Sequence, residues 1–109
     1  MTEHSKMLPD ACKDMGDVRE EIDRLDRALV RLIAERQRYI EAAARIKDRE
    51  DEVRLQWRID DVLAKVKAEA ARQGLDWAIA EPVWRQMMDR CIAHEGVVWR
   101  RLRGLPPKT

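Results

Sequence analysis

Five charged residues stand where their type and spacing could do chemistry: Arg19, Arg36, Lys47, Arg58 and Glu95. Residues 17–47 step apolar side chains by threes and fours, through Val18, Ile22, Leu25, Leu29 and Leu32, then Tyr39, Ala43 and Ile46. The slot after Leu32 should be apolar and holds Arg36 instead. A permanent cation in a stripe meant for burial costs several kcal/mol unless an anion meets it. Lys47 lies eleven residues further on, about three turns or roughly 16 Å along the same helix face. Two long side chains leaning toward each other can grip one small anion between them. Arg19 lies seventeen residues before Arg36, roughly 25 Å away and about 100° round the helix. Within one straight helix it cannot reach that ligand, so if Arg19 joins the site it must come from a second copy of the chain.

Two further stripes carry a charge in the same manner. Arg58 follows Leu55 by three and precedes Val62 by four, on the side expected to be buried with Ile59, Leu63 and Val66. Glu95 interrupts a run through Trp84, Met88, Cys91, Val98 and Leu102. An ion pair between Arg36 and Glu95 would explain either residue alone. One seam carboxylate cannot neutralise Arg36, Lys47 and Arg58 together, although exposed tips of long side chains can snorkel to water. The surplus of cations favours an anionic ligand carrying about two negative charges.

The elements that must position these residues are helices. Residues 17–47 contain no Gly or Pro and consist mostly of strong helix formers. Asp17 followed by Glu20 suits a capped start near Gly16–Asp17. The first helix is expected to run past Lys47 into the polar patch 48–52, where a hinge leads to the second. Gln73-Gly74 stops the second helix. Asp76 can cap the third, with Pro82 tolerated only in its first turn, and Gly104-Leu105-Pro106-Pro107 ends it. No strand-like alternation or repeat appears, so the expected class is all-α with three helices per chain, one of them long. Residues 1–14 read as a flexible arm on which Met7-Leu8 or Cys12 can dock. Residues 15–104 read as the helical domain and 105–109 as a tail.

At 109 residues the chain fits one domain. A helix about 45 Å long would overhang a compact domain of this size, whose radius of gyration is about 13 Å. Pairing with another copy covers the overhang, so an intertwined homodimer is expected. The formal net charge of +1 argues against a nucleic-acid partner. The longest apolar run, residues 77–80, is too short for a membrane span. Residues 1–6 lack the apolar core of a signal peptide. Two distant cysteines, Cys12 and Cys91, suit a reduced cytoplasmic compartment. Cys–His metal spacing is absent, and no metal or organic cofactor is implied. Trp57, Trp77, Trp84 and Trp99 read as core or interface aromatics, His4 as part of the arm, and His94 as a surface residue. Cys91 has no paired base for a nucleophilic role.

With these residues in place the chain resembles the all-helical chorismate mutase family. Gly16-Asp17-Val18-Arg19-Glu20-Glu21-Ile22-Asp23-Arg24-Leu25-Asp26, then Leu32-Ile33-Ala34-Glu35-Arg36, then Ile46-Lys47, follow its first-helix signature in order. Arg58, Gly74-Leu75-Asp76, and Val83-Trp84 leading to Cys91 and Glu95 also fit. The resemblance implies an intertwined dimer with two sites, each taking its first-helix arginine from the partner. Arg36 and Arg58 of one chain, with Arg19 of the other, would then clamp the two carboxylates of chorismate. Lys47 and Glu95 would donate to the ether oxygen of the enolpyruvyl bridge.

Two positions depart from the common bacterial pattern. Glu95 stands where many members carry Gln, as it does in fungal members. Ile59 stands where mutases often hold an acid for the substrate hydroxyl. A branch of the family that cleaves isochorismate to salicylate and pyruvate also lacks that acid. The Asp17-Val18-Arg19 opening and the 39–44 run, Tyr39-Ile40-Glu41-Ala42-Ala43-Ala44, are similar to that branch as well. The expected activity is therefore chorismate mutase, with isochorismate pyruvate lyase as the alternative. A non-catalytic helical partner of a larger enzyme is the reading from another class.

Overall fold

The computed structural model describes residues 7–108; the expected arm residues 1–6, His4 among them, and Thr109 lie outside the described residues. The order is a 3₁₀ turn at Pro9–Ala11, helix α1 over Met15–Ile46, a 3₁₀ turn at Glu50–Glu52, α2 over Gln56–Gln73 and α3 over Trp77–Leu102. Among the described residues there is no strand, and the all-α class with three helices holds. The chain divides after Gln37 into two units, with α1 running through both.

In the first unit, the cap of α1 lies three residues earlier than expected. The Asp17 amide donates to Asp14 Oδ1 at 2.9 Å, and Asp17 Oδ2 in turn accepts the Lys13 amide at 2.9 Å. One orphan donor of the helix start is thereby met, and the amide just before the cap is met as well. Upstream, Met7, Pro9 and Cys12 meet Val18, Ile22 and Leu25 around a cleft of about 320 Å³. Partial burial pushes the Cys12 thiol up from its ordinary 9.0, with the Asp17, Glu21 and Asp14 carboxylates adding to the effect. Cys12 is thus a packing thiol rather than a reactive one. Along α1 the apolar stripe stays open: Ile22, Leu25, Leu29, Leu32 and Ile33 are each about half exposed.

The second unit has its own core. Ala44, Val53, Val98 and Trp99 are buried together with Ile92 packed against them, and Leu63, Ala70, Ala80 and Met88 are buried between or beside the helices. The short link between α2 and α3 makes them a packed helical hairpin. Gly74 supplies the turn at φ 72°, where a Cβ would be strained, and the Leu75 amide closes back on Ala70 O at 2.8 Å. Pro82 departs from expectation. It sits inside α3, beyond the first turn, where its missing N–H leaves one helical bond unmade.

The end of α1 differs too. The helix stops at Ile46, and the 48–52 patch is not helical continuation but a bound turn. Glu52 Oε2 accepts the amides of Asp48 (3.1 Å) and Arg49 (3.4 Å), while Arg100 Nη1 grips both oxygens of Glu50 at 2.9 Å. These side-chain acceptors replace the carbonyls that a longer helix would have offered. That guanidinium holds the Glu50 carboxyl below its ordinary 4.5, with Lys108 contributing and partial burial opposing.

Candidate active site

Glu95 is the most buried charged residue among the described residues. It is 3% exposed on α3, in the slot where the Trp84–Met88–Cys91 stripe called for an apolar residue. Its partner is Lys47, whose Nζ donates to Glu95 Oε2 at 2.7 Å. Lys47 is the residue immediately after α1, still tied to it by its amide, which donates to Ala43 O at 2.9 Å. Two of the five expected site residues therefore meet. A carboxylate this buried is tolerable because a cation meets it at contact distance. Among the described residues no buried side-chain nitrogen or oxygen lacks a hydrogen-bond partner.

The other three differ in exposure. Arg58, in the first turn of α2, was expected on the buried side; its side chain is instead 55% exposed and donates to Asp61 Oδ2 at 2.6 Å. The Asp61 carboxyl is held low by Lys65 first and Arg58 second. An exposed pair of this kind is worth little. Arg36 is half-buried on the first unit's part of α1, in keeping with its place in the stripe, and Arg19 is exposed near the start of that helix.

Near Glu95 the structure adds a contact that sequence reasoning missed. His94, expected at the surface, is half-buried, and its Nε2 lies 2.6 Å from Glu41 Oε2. Glu41–His94 and Lys47–Glu95 form two adjacent cross-links between the end of α1 and α3. Earlier on α3, Met88 and Ile92 line a cleft of about 470 Å³ with Arg54, Ile59, Arg85 and Asp89. Ile59 presents an apolar side chain there, so no carboxylate is available at that position for a substrate hydroxyl. Among the described residues no group of three or more His, Cys, Asp or Glu side chains could hold a metal. No described helix is long and apolar enough to cross a membrane.

The sequence model of the family described as chorismate mutase type II matches residues 18–96, a span that runs from the start of α1 past Glu95. The chain belongs to that family. Arg19, Arg36, Lys47, Arg58 and Glu95 all fall inside the matched span. The chain is also 32% identical over 96 residues to an isochorismate pyruvate lyase from Pseudomonas aeruginosa, covering 88% of this chain and 95% of that protein. The similarity extends over nearly the whole of both chains. This chorismate mutase type II member is therefore in the mutase and isochorismate pyruvate lyase group of enzymes.

Proposed function

We propose that the chain is a chorismate mutase, converting chorismate to prephenate in the cytoplasm as an intertwined homodimer with two shared sites. The observation that carries this reading is the buried Lys47–Glu95 contact at 2.7 Å inside the matched span of the family. The rearrangement breaks the ether carbon–oxygen bond as a carbon–carbon bond forms, so no nucleophile, cofactor or proton shuttle takes part. The protein's task is to hold a flexible dianion in its compact reactive form and to stabilise charge growing on the ether oxygen.

Arg36 and Arg58 of one chain and Arg19 of its partner take the two substrate carboxylates, because a guanidinium fork grips a carboxylate bidentately. Lys47 meets the ether oxygen as a point charge. Glu95, in contact with Lys47 at 2.7 Å, is the second group that faces that oxygen in this reading, as a donor. The partner chain also covers the open stripe of α1. Burying those half-exposed side chains contributes on the order of 1 kcal/mol each.

Two observations favour a second reading, isochorismate pyruvate lyase: the similarity to the Pseudomonas aeruginosa enzyme and the apolar Ile59. The same clamp would fold isochorismate for a pericyclic elimination that yields salicylate and pyruvate. Incubating purified protein with each substrate separately decides between them. Prephenate from chorismate supports the mutase; salicylate from isochorismate, without prephenate from chorismate, replaces it with the lyase. Turnover of neither would remove both.

A further inference from the structure

Lys47 is held at both of its ends by one stripe of α3. Glu95, Trp99 and Arg103 recur every four residues, on one face of that helix. Glu95 takes the ammonium group at 2.7 Å. Trp99 Nε1 and Arg103 Nη2 both donate to the Lys47 carbonyl oxygen, at 3.0 and 2.6 Å. Arg103 Nη1 donates in addition to Ala44 O at 3.2 Å and to Trp99 O at 3.0 Å, and the guanidinium lies over the Trp99 ring, 4.2 Å from its centroid.

These carbonyls are not arbitrary. In a helix continuing beyond Ile46, Ala44 O would accept the amide of Asp48 and Lys47 O that of Asp51. Nothing in the 48–52 patch forbids that continuation, since it contains neither Gly nor Pro. Arg103 and Trp99 occupy the two acceptors, and the amides of Asp48 and Arg49 turn instead to Glu52 Oε2. The place where α1 stops is therefore set from the end of α3, and it stops one residue before Lys47, whose side chain meets Glu95.

We propose that Arg103 and Trp99 are positioning residues for Lys47: by capping the end of α1 they fix the backbone from which its ammonium reaches the reacting ether oxygen. This rests on the role given to Lys47 above. Neither residue touches substrate; each acts through Lys47. A long side chain whose backbone anchor is loosened samples many rotamers, and misplacement by about 1 Å is enough to cost turnover heavily.

The test combines kinetics and the helix end, in the full-length protein, on whichever of chorismate and isochorismate is turned over. Arg103→Gln removes the charge and the double donation; it is expected to lower kcat about tenfold with a much smaller change in KM. Trp99→Phe, which keeps the packing and removes one donor, lowers kcat less, and Arg103→Lys recovers part of the loss. In a Lys47→Ala background Arg103→Gln should cost less than about twofold, because the group it positions is gone. A merely structural defect would lower activity equally in both backgrounds. Backbone carbon shifts in Arg103→Gln should turn helical through residues 47–51. Equal losses in both backgrounds, or a helix that still ends at Ile46, would overturn the proposal. Unchanged turnover in Lys47→Ala alone would instead remove the catalytic role of Lys47, and the positioning role with it.

Discussion

The two units of the chain carry comparable apolar stripes and treat them in opposite ways. From Arg38 onward a core forms: Ala44, Val53, Val98 and Trp99 are buried together, and the charge beside them, Glu95, has its cation at 2.7 Å, although Tyr39 and Ile46 of the α1 stripe stay exposed. Up to Gln37 the stripe is open, with Leu29 at 53% and Leu32 at 56% exposed. The second unit has a buried core of its own, whereas no described residue up to Gln37 is buried. The same division runs through the site residues. The second unit supplies Lys47, Arg58 and Glu95, whereas Arg19 and Arg36 belong to the helix segment that carries the open stripe. Assembly and completion of the site are thus expected to be one event.

The largest effect should come from spoiling the open stripe. Leu29→Glu places a charge where a second copy is expected to pack, and sedimentation should show a monomer with no detectable turnover. An active dimer of this variant would break the contrast between the units. Next comes the closed unit's charge pair. Lys47→Ala should lower kcat by about 10²- to 10³-fold, as loss of a donor to developing charge does elsewhere, while the dimer persists. Glu95→Gln is subtler. Gln keeps a hydrogen-bond donor at this position and Ala keeps none, so Glu95→Ala should lose about tenfold or more in turnover relative to Glu95→Gln; equal losses in the two variants would remove Glu95 as a donor.

The smallest effect concerns the turn after α1. The Glu50 carboxyl is held below its ordinary 4.5 by Arg100, so its folded form binds its proton less readily than the unfolded chain does. Its contribution to stability is present above 4.5 and is lost as pH falls through the lower, folded value. Melting curves of wild type and Glu50→Gln should therefore differ at neutral pH and converge in acid. A difference that stayed constant down to strongly acidic pH would contradict the role of this contact.

The parts that could be read in the sequence are those set by local pattern. The three-and-four spacing from Val18 to Ile46 gave α1, Gly74 marked the stop of α2, and a carboxylate at Glu95 in an apolar stripe announced a buried charge. What could not be read is set from a distance. No residue near Lys47 says that α1 ends there; Trp99 and Arg103, more than fifty positions later, take its last carbonyls. Asp14 and Asp17 were both able to cap, and the reciprocal contact with Lys13 selects the earlier one. Arg58 lies on the solvent side, paired with Asp61 one turn on. His94 looked like a surface residue because its partner, Glu41, is on another helix.

If each site takes Arg19 from one chain and Lys47 from the other, as proposed, mixed dimers test it directly. Arg19→Ala and Lys47→Ala chains, each nearly inactive alone, should be unfolded together and refolded as a mixture. In a symmetric dimer half of the product is mixed, and one of its two sites then carries neither substitution, so activity should return to about a quarter of wild type. No recovery from a mixture shown to contain the mixed dimer would place Arg19 and Lys47 in the same chain's site and contradict the account.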